Sequence, residues 1–229
     1  MKPRMPRRLL LAAALGLVTV AALAGCRVEQ GAALFVGETR ITDSQVDEIV
    51  DSVPVELVTS DRSRMTSGFS GIRSQVVEAL AVVELGRQVA DDTDRQPNTQ
   101  VGSAARKSWA EATGLPLDNA FVDLMGSAES YRELLRADAT PEAPTEADVE
   151  AAAKNYATAT GQPLDDATIG QLTSELNTDQ GRELIGQNRQ INQYVADYQV
   201  TANPKYGKLA IVTFTNASGV ALLTAPVPS

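Results

Sequence analysis

Histidine is absent from the 229 residues, and cysteine occurs once, at Cys26. These absences exclude Ser-His-Asp triads, Cys-His pairs, the usual zinc sites and any disulfide within the chain. Carboxylate chemistry of the glycosidase kind, or a Ser/Lys nucleophile, is what remains. The acidic residues are scattered over helical faces. Their adjacent pairs, Asp91-Asp92 and Asp165-Asp166, fall where a helix ends or starts, so solvated or capping roles are expected. There is no Gly-rich phosphate loop after a strand and no calcium-loop spacing of acids. The expectation is a protein without a catalytic residue, cofactor or metal.

Positive charge is also scarce, with 20 Lys and Arg against 29 Asp and Glu, for a net charge of −9. Four of the basic residues, Lys2, Arg4, Arg7 and Arg8, precede an uncharged run from Leu9 to Leu23. Beyond residue 25 the net charge is therefore −13. Such a surface repels nucleic acid and anionic headgroups.

The basic start and its apolar run have the form of a secretory signal. The run of about fifteen residues is nearer a signal core than the roughly twenty residues of a spanning helix. Small residues Ala24 and Gly25 then precede the cysteine. Leu23-Ala24-Gly25-Cys26 resembles the lipobox of bacterial lipoproteins. That resemblance implies cleavage between Gly25 and Cys26, a diacylglyceryl group on the Cys26 thiol, and a chain tethered by lipid to the extracytoplasmic face of the cell membrane. The expected divisions are a signal peptide over 1–25 and a lipidated tether over 26–31. An uncleaved anchor helix is the alternative, and it leaves the rest of the chain on the same side.

Past the tether, Ala32–Val36 is apolar and Gly37-Glu38 supplies a turn before Arg40-Ile41, which predicts a small hairpin. Thr42 and Gln45 form a capping-box pattern, and Val46, Ile49, Val50 and Val53 continue at helical spacing to Pro54, predicting a helix over 43–53. Residues 59–71 read as a polar loop. Ile72, Val76, Val77, Ala79, Leu80 and Val83 then make a stripe too wide for one buried face, which predicts a central core helix extending to Asp91.

The second half repeats itself. Residues 103–120 align without a gap to 150–167, with eleven of eighteen positions identical and Trp109 matching Tyr156. The register extends upstream, Pro97 to Pro144. Downstream it resumes with a three-residue offset, Arg132-Glu133-Leu134-Leu135 recurring as Arg182-Glu183-Leu184-Ile185. Each copy, about 97–137 and 144–190, predicts a helical hairpin whose first helix ends at Thr-Gly and whose second starts after Pro-Leu-Asp. Asp118 and Asp165 are expected N-caps. Leu117, Phe121, Leu124, Ala128, Tyr131 and Leu135 mark the expected buried face of the later helix in the first copy. Leu172, Leu176, Leu184, Ile185 and Ile191 do so in the second. Between the copies, Thr145 and Asp148 carry another capping signal. Tyr194–Val200 reads as extended chain leaving the last helix. Leu209–Phe214 and Val220–Leu223 then read as strands able to pair across a turn at Asn216, with a fraying tail from Pro226.

Gly37–Asp47, Pro144-Thr145-Glu146-Ala147-Asp148-Val149 and Val200–Gly207 together resemble SurA-type N-terminal domains in lipoproteins of high-GC Gram-positive (actinobacterial) bacteria, over about residues 32–207. The resemblance implies a mainly α fold. In it a helical domain over 32–207 is closed by a small β element from the N- and C-terminal segments, and 208–229 forms a terminal hairpin and tail. It also implies an extracytoplasmic folding helper that cradles unfolded or extended polypeptide. The parvulin isomerase domain that many such proteins carry uses histidines, so prolyl isomerase activity is not expected. Trp109, Phe121, Met125 and Tyr156 are the candidate client-binding residues, with ordinary core packing as the competing role. The alternative function is a structural or assembly lipoprotein that docks one specific envelope partner.

Overall fold

The structure is a computed structural model and describes residues 30–54, 57, 71–216 and 218–229. The leader, the Gly25-Cys26 junction and most of the polar segment over 59–71 lie outside the described residues. Gly31–Ser229 forms one compact unit. It is mainly helical, with short antiparallel sheets.

Gly37, at φ +56°, turns β1 (Ala32–Val36) into β2 (Thr39–Thr42). All five β1 residues are buried because β1 is the middle strand, paired on its other side with β3 (Thr201–Ala202) in the order β2-β1-β3. Leu34 faces Ala202 in that register, so the two ends of the unit close on each other. The tail reinforces the closure and is not frayed as expected. Val227 N–H donates to Leu209 O at 2.9 Å, and Ala202 N–H donates to Pro228 O at 2.7 Å.

The Thr42–Gln45 capping box forms and starts α1 (Asp43–Asp51). This helix stops two residues before the expected end, since the residue preceding Pro54 is pushed away from helical backbone. The central helix, α2 (Gly71–Thr93), is buried on several sides, with Val76, Val77, Ala81, Val82, Leu85 and Val89 inaccessible. Gly86 on it has no room for a side chain, because a Cβ there would lie 2.6 Å from Tyr131 Cβ.

The repeat folds as α3 (Thr99–Thr113) with α4 (Ala120–Arg136), then α5 (Glu146–Thr160) with α6 (Asp166–Leu176). Gly114 and Gly161 end the first helix of each copy in the left-handed conformation, at φ +72° and +67°. Asp165 caps α6 as expected, accepting Thr168 N–H at 2.8 Å. In the first copy the cap is Asn119, not Asp118: Asn119 Oδ1 accepts Phe121 N–H at 2.9 Å. The three-residue offset has a structural cause. The second copy breaks at Asn177-Thr178, and Thr178 caps a new helix, α7 (Asp179–Asp197). Arg132 therefore sits late in α4, whereas Arg182 sits in the first turn of α7.

Two further corrections concern packing. Leu117 is 49% exposed in the turn before α4, not part of its buried face. Tyr194–Asp197 stays helical because Ile191 and Val195 carry the buried stripe of α7 onward, and the chain turns only at Gln199, φ +48°. Beyond a 3-10 turn at Pro204–Tyr206, β4 (Ala210–Thr215) and β5 (Ala221–Pro226) pair antiparallel as predicted. The core has two parts. One surrounds α2, β1 and α4; the smaller one joins Ala152, Ala153, Leu172, Leu176 and Ile185 to Val220, Leu222 and Leu223.

Candidate functional site

Met125, Glu129, Arg132 and Arg136 follow one another on α4 at intervals of four, three and four residues, which places them on one helical face. That face, Gln75 and Glu78 of α2, Leu184 of α7 and residues 212–215 of β4 enclose a cleft of about 560 Å³. Trp109 closes one wall. The cleft is amphipathic. Trp109, Met125, Leu184 and Phe214 are its half-buried apolar lining, and two glutamates and two arginines supply its charge.

The charges are arranged around the open edge of β4. Glu78 Oε1 accepts Val212 N–H at 3.0 Å and Arg132 Nη2 at 3.3 Å. Arg132 Nη1 reaches Glu129 Oε2 at 2.6 Å, and Arg136 Nη2 donates to Thr213 O. Side chains thus satisfy edge groups that a further strand would otherwise pair, a device that blunts edge-to-edge association. Asn188 Nδ2 donates to Thr213 Oγ1 at 2.7 Å and fixes the strand from α7.

Burial pushes the Glu78 carboxyl above the usual range, although Arg132 and the Val212 amide work against it. Burial and the neighbouring Arg132 hold the Arg136 guanidinium below its ordinary value. Arg136 has no carboxylate partner among the described residues, and its buried Nε and that of Arg132 have no hydrogen-bond partner. Glu78 and Glu129 are a carboxylate pair of the kind a glycoside hydrolase needs. Here a single guanidinium bridges them, and Glu78 is also engaged by a strand amide. The arrangement fastens α2 to α4 and β4, and it leaves Glu78 only 8% exposed.

The four client-binding candidates divide. Trp109 and Met125 line the cleft. Phe121 is 2% exposed and packs edge-on behind Trp109, with ring centroids 5.6 Å apart. Tyr156 packs against the smaller core and does not line the cleft. Glu78, Arg132, Arg136, Leu184 and Phe214 are not among the residues the sequence marks as binding candidates; Leu184 is expected there only on a buried helical face. The available signal was Glu78 itself, an acid in the middle of the widest apolar stripe. Among the described residues no His/Cys/Asp/Glu cluster is arranged to hold a metal, and no helix is long and apolar enough to cross a membrane. No protein family, curated protein or solved structure matches the chain.

Proposed function

We propose that this chain is a lipid-anchored extracytoplasmic protein that takes apolar stretches of unfolded or extended polypeptide into the Trp109–Met125 cleft, without isomerase activity. The observation that carries the reading is the cleft lining, where Trp109, Met125, Leu184 and Phe214 stay only partly buried around an open volume of about 560 Å³. Burying a client's apolar surface there is worth about 25 cal/mol per Å², which suits weak and sequence-tolerant binding. Met125 adds a flexible, polarisable contact. The lipobox-like Leu23–Cys26 and the resemblance to SurA-type N-terminal domains support the location and the class of role.

The test is light scattering from a chemically unfolded client, with and without residues 27–229, against an inert acidic protein. Suppression near stoichiometric ratios, lost in Trp109→Ala with Met125→Ala at unchanged thermal stability, is the expected result. Absence of suppression sinks the reading. The alternative, docking to one folded envelope partner through the acidic surface, would then be tested by crosslinking in cells. For the anchor, Cys26→Ser should abolish incorporation of a lipid label and change electrophoretic mobility.

A further inference from the structure

The two copies of the repeat differ at their helix crossings. In the first, α3 and α4 meet at Gly102 and Gly126. A Cβ at Gly126 would lie 2.8 Å from Gly102 O, and one at Gly102 would lie 3.2 Å from Gly126 O. The register that matches residue 103 to 150 puts Val149 at the place of Gly102 and Thr173 at the place of Gly126. The second copy thus carries side chains where the first has none. Val149 and Thr173 both line a groove of about 430 Å³ between α5 and α6, together with Leu164 and Ile169.

Leu164 and Ile169 are each 38% exposed, and with Leu117 they are the exposed large apolar residues among those described. The groove's charge is of one sign. Glu146 and Glu150 line it, and no lysine or arginine does. Lys154 pairs with Glu150 at 2.7 Å, whereas Glu146 has no cationic partner among the described residues. By contrast, the Trp109–Met125 cleft carries two arginines.

We infer that the α5–α6 groove is a second peptide-binding site, separate from that cleft, whose occupant is a short apolar segment flanked by lysine or arginine. The apolar walls receive the segment's side chains, and the acidic mouth selects its flanks, because complementary charge sets specificity and orientation at a rim.

The experiment uses the full-length protein in zwitterionic phosphatidylcholine nanodiscs, with empty nanodiscs as the blank. Fluorescence anisotropy reads two dye-labelled peptides that share a leucine/alanine core, one flanked by lysines and one by glutamates. The lysine-flanked peptide should bind about tenfold tighter, the equivalent of about 1.4 kcal/mol. Leu164→Ser with Ile169→Ser, both partly exposed, should weaken it about tenfold at unchanged melting temperature. Glu146→Gln with Glu150→Gln should bring the two peptides within about twofold of each other. Equal binding of both peptides to the unaltered protein, or no weakening in the Leu164/Ile169 variant, overturns the inference. Loss of binding in the Trp109/Met125 variant alone would also overturn it and assign the peptide to the cleft. Conversely, failed aggregation suppression with intact peptide selectivity would remove the chaperone reading and leave the groove standing.

Discussion

Removing the Glu78 carboxylate tests whether the cleft floor is built on it. Its side chain is 10% exposed and that of Arg132 is 13% exposed, so the pair is largely out of water. Glu78→Ala leaves the Val212 amide without its acceptor and Arg132 without its buried partner. Breaking such a pair costs about 3–5 kcal/mol. For a chain of this size each kcal/mol moves the melting temperature by about 2–4 °C. Glu78→Gln keeps an acceptor for Val212 N–H, and Arg132 still has Glu129 at 2.6 Å. Its cost at neutral pH should therefore be the smaller, near 1–2 kcal/mol. The two variants also differ from the native chain in pH dependence. Burial raises the folded-state pKa of Glu78 above its unfolded value. Between those values the folded state holds more protons, so this group's contribution is fullest below the unfolded pKa and declines as pH rises through the folded one. Urea unfolding followed by the fluorescence of Trp109, the single tryptophan, reads both effects. The stability of the native chain relative to Glu78→Gln should fall as pH is raised from about 4. A cost for Glu78→Ala under about 1 kcal/mol, or a gap that widens with pH, would refute the buried anchor.

Two other perturbations probe the closure and the repeat. Asp43 accepts Tyr206 Oη at 2.7 Å and is paired with Lys205. Burial pushes its carboxyl up, but the Lys205 and Tyr206 hydrogen bonds outweigh it and hold the carboxyl below its ordinary range. Its contribution is present above the unfolded pKa and lost as pH falls through the folded one, so Asp43→Asn should flatten the acid limb of the stability profile by less than about 1 kcal/mol. Tyr206 is pushed up to about 12 by burial and Asp43, so its contribution should decline between about pH 10 and that value, and Tyr206→Phe should remove the decline. In the repeat, a Cβ on Gly126 would meet Arg106 Cγ at 2.1 Å and the Gly102 carbonyl at 2.8 Å. Chemical denaturation should show Gly126→Ala destabilised by about 1–3 kcal/mol and Thr173→Ala, at the matching position, far less. Equal effects at the two positions would contradict the close crossing of α3 and α4.

What was legible beforehand was local. Thr42 with Gln45, Thr145 with Asp148, Asp165, Gly114 and Gly161 act within a few residues of themselves, and each does what its spacing predicts. The shift of the first hairpin's cap from Asp118 to Asn119 was not legible. Both side chains can cap, and the choice is tied to Asn119 Nδ2 donating to Ser52 O at 2.8 Å, 67 residues away. The cleft was illegible for the same reason. Val212 and Thr213 reach Glu78 and Arg136 only after the chain has passed through α7 and closed β3 on β1. No pattern within one element marks Arg136 as the arginine beside a strand edge, whereas Trp109 and Met125 stand out as large apolar residues at helical spacing.

The two copies of the repeat pack differently, and the glycines of the first show why. Close packing of α3 on α4 through Gly102 and Gly126 commits that copy to the main core, where α4 also meets α2 through Gly86 and Tyr131. Once that copy supplies the scaffold, the second is free of the same constraint. Val149 and Thr173 there would be intolerable at a close glycine crossing, yet they fit an open one. The break at Asn177-Thr178 then lets α7 leave the hairpin and return to the main core through Ile191 and Val195. The same α7 places Leu184 in the cleft, so the break that ends the second hairpin also completes the wall of the first site. The groove lies within the second copy of the repeat, and the first copy supplies Trp109 and the α4 face of the cleft. The two surfaces differ in electrostatics, since Arg132 and Arg136 line the cleft beside Glu78 and Glu129, whereas the charged residues lining the groove are Glu146 and Glu150. A polypeptide offering apolar segments in unlike charge settings would engage both, and the charge of its flanks would decide which segment each site receives.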